Sequence, residues 1–225
     1  MRLSETTWSE VDHPVLCVPV GSCEQHGPHL PLATDTIIAD ALAHHLAARR
    51  PAVMVAPAIA VSASGEHADF PGTLSIGTDV MSALVVELVR SADWAAGVVL
   101  VNGHGGNRAA IDRAAAVLHG EGRHVLAWWP RPAGDGVDAH AGHVETSLLL
   151  HLLPELVRAD RAEVGVTAPL ADLAGRLRSS GVRAVSPNGI LGDPTRADAA
   201  TGHELFERLV DDLTGAVDAW AGARR

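Results

Sequence analysis

The chain has 225 residues, 47% of them apolar, which suits one sizeable core, and no apolar run approaches the ~20 residues needed to cross a bilayer. A net charge of −10 with scattered basic residues argues against nucleic acid as partner. All 17 basic residues are arginine, which excludes Schiff-base lysine chemistry and a lysine-bearing phosphate loop. No charged segment leading into an apolar one opens the chain, and Cys17 and Cys23 are too few for a disulfide framework. The expectation is a soluble cytoplasmic protein with reduced thiols.

Taken in order, Val15 to Val20 is a short apolar run ending in Gly21-Ser22, as a buried parallel strand does. From Asp35 to Arg50, Ile37, Ile38, Ala41, Leu42 and Leu46 recur at helical spacing, with Thr34 or Asp35 placed to cap the start. Strand and helix then alternate: a strand from Ala52 to Ala60, a helix from Asp79 to Trp94 and a strand from Gly97 to Val101. A helix from Asn107 to His119 and a strand from His124 to Trp128 follow. A loop over Ala133 to His143 leads into a helix from Val144 to Leu153, stopped by Pro154. Beyond Pro169 the pattern weakens until a helix from Ala197 to Trp220, with Leu205, Leu209, Leu213 and Val217 four apart. Such alternation predicts an α/β fold, a three-layer α-β-α sandwich around a mostly parallel sheet, in one domain over residues 1–225.

Chemistry gathers where loops follow strands. In the first loop, Glu24 and His26 project to one side of an extended segment, and Asp35 can return to the same centre from the next helix. Mixed oxygen and nitrogen donors suit a divalent cation; the plainer reading makes Glu24 and His26 solvated and Asp35 a helix cap. The second loop, Asn102-Gly103-His104-Gly105-Gly106-Asn107, delivers His104 from the end of a buried strand, with glycines letting the backbone pass close to a ligand. A packed core histidine is its alternative. The third cluster, Asp138-Ala139-His140-Ala141-Gly142-His143-Val144-Glu145, enters a helix, where Glu145 also complements the helix dipole. Three coincidences of this kind at strand ends favour one shared site.

Smaller signals accompany these. Glu66-His67 lies in a long loop after the second strand, either lining a pocket or solvated, and Trp129 either shelves a substrate or packs with Trp128. His44 and His45 lie inside a helix away from the strand ends and read as structural, whereas His29 reads as a partner that orients a ligand. Cys23 with His26 could in principle form a cysteine-hydrolase pair.

Gly21-Ser22-Cys23-Glu24-Gln25-His26-Gly27-Pro28-His29 with Asp35, Phe70-Pro71-Gly72-Thr73, Asn102 to Asn107, and His140-Ala141-Gly142 with Glu145-Thr146-Ser147 together resemble the creatininase family of metal-dependent amidohydrolases. The match covers roughly residues 14 to 153. The resemblance implies Glu24, His26, Asp35 and His104 as ligands of two divalent ions (Zn, Fe or Mn), with Asp35 bridging. Creatininase proper carries an acid where this chain has Gly106, so Glu145 becomes the candidate fifth ligand or a base, and His140 the proton shuttle to the leaving amine. It also carries a Trp-Asp pair near the position of Gly136-Val137-Asp138-Ala139, which makes creatinine a poor substrate here.

The short chain and its motif wording are most similar to the branch that trims a C-terminal Val-Tyr dipeptide from a modified ribosomal precursor peptide. The family further implies a homo-oligomer such as a hexamer. Another amidohydrolase of the family, acting on creatinine or deformylating a formylamino-pyrimidine nucleotide, and a non-catalytic metal-binding subunit are the alternatives.

Overall fold

The computed structural model of the chain describes residues 1–130 and 138–223. Its sheet has four strands, all parallel, in the order β2-β1-β3-β4: β1 is Val15–Val20, β2 Val53–Val55, β3 Gly97–Asn102 and β4 Val125–Trp128. Side chains alternate across the sheet as the pleat demands. Cys17, Val99 and Val101 enter the core on one face, while Leu16, Val18, Val98 and Leu100 enter the core on the other. Helices α1 (Thr34–Arg49), α4 (His143–Leu152) and α6 (Ala199–Gly222) cover the first face; α2 (Gly77–Ser91) and α3 (Arg108–Gly120) cover the second. The expected three-layer α/β arrangement is therefore present. Among the described residues no helix is long and apolar enough to cross a membrane.

Three expectations change. The second strand ends at Val55 rather than Ala60. Pro57 follows, and beyond it the chain returns to β1 where the Ile59 N–H donates to the Pro19 carbonyl at 2.9 Å. Pro19 sits in an inner strand without an N–H, and its carbonyl faces the side where β2 has already given way. Neither Thr34 nor Asp35 caps α1 by its side chain: the Thr34 hydroxyl donates back to the Pro31 carbonyl at 2.7 Å, and Asp35 turns into the site below. A helix absent from the sequence reading, α5 (Leu170–Val185), packs against the single turn Gly65–His67 and kinks at Gly181. Residues 133–137 of the expected loop, with Gly136 and Val137, lie outside the described residues.

These elements put the carboxyl ends of β1 and β3 side by side, in register from Val15 opposite Gly97 to Val20 opposite Asn102. The loops leaving them meet above the sheet, where open parallel sheets bind ligands. Gly103 is needed there, since a Cβ on it would lie 2.6 Å from the Asp35 carbonyl oxygen.

Candidate metal centre

Glu24, His26, Asp35, His104, His140 and Glu145 converge in one place, as the sequence led us to expect. The site gains two members. His67 reaches it from the Gly65–His67 turn, its Nε2 3.3 Å from Glu24 Oε1, and Glu66 brings Oε1 to 3.7 Å from His104 Nε2. The only sequence signal for either was their position after the second strand, ahead of Phe70-Pro71-Gly72-Thr73.

The first loop is held by its own backbone. The Glu24 N–H donates to the Leu32 carbonyl and His26 bridges to Leu30, which folds the run back on itself and buries Glu24 and His26 completely. His26 Nδ1–H donates to the Glu24 carbonyl at 3.1 Å, which leaves Nε2 facing Asp35 Oδ1 at 3.1 Å and Glu145 Oε2 at 3.9 Å. His104 lies between two carboxylates, with Nδ1 3.2 Å from Asp35 Oδ2 and Nε2 3.2 Å from Glu24 Oε2. Ser22 Oγ–H donates to Asp35 Oδ2 at 2.8 Å, and the Ala141 N–H donates to Glu145 Oε2 at 2.6 Å. Asp138 accepts from the N–H groups of His143 and Val144, fixing the start of α4 and so the reach of Glu145.

The electrostatics follow from burial and charge. Burial alone would lower His26, but the carboxylates of Asp35, Glu145 and Glu24 outweigh it and hold the ring at about 9. His104 is likewise held well above its usual value against its burial, by Glu24 and Asp35. Asp35 lies well below the carboxylate range, because His26 and His104 overcome its desolvation. Glu145 moves the other way: burial pushes it up to about 7. His140 and His67 are kept neutral, first by burial and then by neighbouring imidazoles, with His67 lowered to about 3. The nest of acids thus favours positive charge at Nε2 of His26, whether a proton or a metal ion brings it.

One observation tests whether a metal ion suits this set. Both carboxylate oxygens of Glu24 are wholly buried, and neither accepts a hydrogen bond. Leaving a buried carboxylate so placed is costly unless it is paired or coordinates a cation. Its imidazole neighbours, His67 and His104, lie 3.3 and 3.2 Å away, close enough to share a cation with it. Glu24, His26 and Asp35 bring donor atoms within 4.8 Å of one another, as do His26, His140 and Glu145, and Glu24, His67 and His140. His104 joins none of these trios; its Nε2–H donates to the Ala63 carbonyl at 3.0 Å and its Nδ1 faces Asp35 Oδ2 at 3.2 Å.

The lesser signals also resolve. The Cys23 thiol points at the Gly72 carbonyl, 3.7 Å away, and both ring nitrogens of His26 are engaged elsewhere, so the cysteine-hydrolase pair is not formed. His29 bonds Thr146 Oγ1 at 2.8 Å, beside Glu145 rather than on a candidate ligand. Trp128 is buried and donates from Nε1 to Asp212 Oδ2, while Trp129 carries the Arg108 guanidinium at 4.7 Å. His45 packs edge-on against Phe206 and His44 pairs loosely with Asp40, both away from the site.

The sequence pattern of the creatininase family, described as creatinine amidohydrolase, matches residues 4–217. The chain belongs to the creatininase family. As such it is a hydrolase of amide carbon–nitrogen bonds. It is 52% identical over 214 residues to the mycofactocin precursor peptide peptidase of Mycolicibacterium smegmatis, covering 92% of this chain and 85% of that protein. It is 50% identical over 217 residues to the protein of the same name from Mycobacterium tuberculosis, covering 92% and 86%. A solved creatininase described as Zn-Zn type superposes with a TM-score of 0.79 at 26% identity, covering 96% of each chain. The creatininase fold thus carries a cluster able to bind metal, in the position that its parallel strands prepare.

Proposed function

We propose that this chain is a metal-dependent peptidase of a single creatininase-like domain, which releases the C-terminal Val-Tyr dipeptide from the modified mycofactocin precursor peptide. The observation that carries the reading is the buried, unpartnered Glu24 carboxylate among imidazoles from three loops, in a chain about half identical to peptidases named for that substrate. A hollow of about 300 Å³ next to the cluster, lined by Gln25, Gly27, Pro28, Leu32, Phe70 and Asn188 among others, offers an apolar side chain a place to lie.

Glu24, His26, Asp35, His104 and Glu145 would hold up to two divalent ions, of zinc, iron or manganese. When bound, such ions supply Lewis acidity toward the amide carbonyl and make water a stronger acid. The protein's own part is proton handling and placement. His140, neutral and facing the cluster through Nδ1, would shuttle the proton released when water attacks to the leaving amine. Glu145 would serve either as a ligand or as the base. Phe70 and Pro71 line the hollow.

The same reading places the protein in the cytoplasm as a homo-oligomer such as a hexamer. Its support is Trp8, 90% exposed beside Trp94, over an apolar hollow of about 470 Å³. The test is to incubate chain loaded separately with zinc, iron and manganese with the modified precursor peptide, and to look by mass spectrometry for loss of Val-Tyr. Creatinine serves as the comparison substrate. Release of the dipeptide is expected; an intact peptide under every metal, with creatinine consumed, overturns the peptidase reading.

A further inference from the structure

Gln25 lies between Glu24 and His26 and is itself 5% exposed, yet it holds no charge and offers no strong metal donor. Its amide touches its own loop and three further segments, at His67, His140 and Gly189. Oε1 accepts from the Gly27 N–H at 2.8 Å; Nε2 lies 3.0 Å from the Gly189 carbonyl, 2.9 Å from His67 Nδ1 and 3.1 Å from His140 Nε2. These partners fix which end is which, because a backbone N–H needs the amide oxygen and a backbone carbonyl needs the amide nitrogen. Gly189 makes room for the arrangement: it has φ +79°, and a Cβ there would fall 1.9 Å from Gln25 Oε1.

The amide nitrogen has only two hydrogens. One goes to the Gly189 carbonyl, which can do nothing but accept. The other has two rings to choose between, and the choice is settled by a further contact: His140 Nε2 is 2.8 Å from the Gln25 backbone carbonyl. Two acceptors cannot face each other at that distance, so His140 Nε2 carries its proton and gives it to the Gln25 carbonyl. The second amide hydrogen therefore goes to His67 Nδ1, which must be a lone pair.

We propose that Gln25 is a positioning residue that sets the tautomers of two imidazoles in opposite senses toward the cluster. His140 is protonated at Nε2 and shows the lone pair of Nδ1, 3.9 Å from Glu24 Oε1. His67 is protonated at Nε2 and shows that N–H to Glu24 Oε1, at 3.3 Å. His67 turns an N–H rather than a lone pair toward Glu24, outside hydrogen-bond geometry, and is not a metal ligand, which removes one of the three donor trios. His140 keeps a free nitrogen for a proton or a cation. The assignment rests on hydrogen bonds alone and holds whichever amide the enzyme cuts.

The test needs no substrate. Nitrogen-15 spectra of histidine-labelled protein, metal-free and zinc-loaded, report the protonated nitrogen of each ring, with His67→Gln and His140→Gln identifying the two sets of signals. Both rings should be neutral, with Nε2 protonated and Nδ1 bare, and zinc should leave the His67 pattern unchanged. Gln25→Glu replaces the donor with an acceptor, so His67 should move its proton to Nδ1. Gln25→Met should weaken zinc binding about 10–100-fold, as loss of an orienting partner does. Protonated Nδ1 on His67 in the wild-type protein, or zinc-dependent shifts at its Nε2, overturns the proposal whether or not either variant folds. Unchanged tautomers and zinc affinity in folded Gln25→Met overturn it too.

Discussion

Glu24 is a carboxylate that gives up all of its water and receives no hydrogen bond in return. Its place in the site depends on cations around it, so Glu24→Gln, which keeps shape and removes charge, is expected to lower bound zinc to below about a tenth of the wild-type stoichiometry and activity by at least about 100-fold, beyond the cost of losing an orienting partner alone. Metal analysis after gel filtration measures the first and peptide cleavage the second; a fully loaded variant would contradict the ligand role. At this scale much was legible. Glu24, His26 and Asp35 stood out because donor types at short spacing after an apolar run have few other uses, and His104 because it ends a buried strand. Gln25 did not stand out, and Glu66-His67 read equally as pocket lining or as a solvated loop. What an amide or an imidazole does is decided by which atoms it faces, here on Gly189 and His140, and those partners are remote in sequence.

At the scale of elements, the alternation from β1 to β4 was legible because buried parallel strands are apolar runs and their crossover helices are amphipathic. Helix α5 was not. Of its residues only Leu173, Val182 and Val185 are buried, and Gly175, Ser179, Ser180 and Gly181 read as breakers. The break is real and has a use: Gly181 adopts φ +73°, ψ 174°, a region almost reserved for glycine. A Cβ there would lie 3.0 Å from the Glu66 carbonyl, on the turn that presents Glu66 and His67. Gly181→Ala is expected to destabilise the protein by about 1–3 kcal/mol, and to weaken zinc binding by shifting that turn. Urea unfolding with and without zinc checks both. A variant as stable as wild type would show that the kink carries no strain. The α6 helix, in contrast, was legible to within two residues, because Asp198 caps it by accepting from Ala200 and Thr201 and its apolar spacing is regular.

For the whole molecule, the centre couples stability to metal and pH. A cation held at 100 times its dissociation constant adds about 2.7 kcal/mol, so a chelator should lower Tm by about 5–11 °C for a chain of this size. An unchanged Tm would argue that nothing binds. In the metal-free protein His26 is raised from 6.5 to about 9. A base strengthened by folding contributes its stability in full below pH 6.5 and loses it as pH rises to about 9. His104, also raised, acts in the same sense. Below pH 7 the trends compete, since Glu145, raised by burial, loses stability with rising pH while His29 and His67, both lowered, gain it. Metal-free protein should therefore unfold at less urea at pH 9 than at pH 7, and zinc should reduce the difference; a flat response would mean that His26 is neutral in the fold. A last consequence concerns descent rather than stability. A Cβ at Gly106 would lie 2.2 Å from Glu66 Oε1 and 2.4 Å from His104 Nε2, so the bare backbone of one loop is the seat of another loop's acid. Positions 66 and 106 are not free to drift apart. A lineage that gains a side chain at 106 must first withdraw the acid at 66, and relatives should divide into those that keep one and those that keep the other.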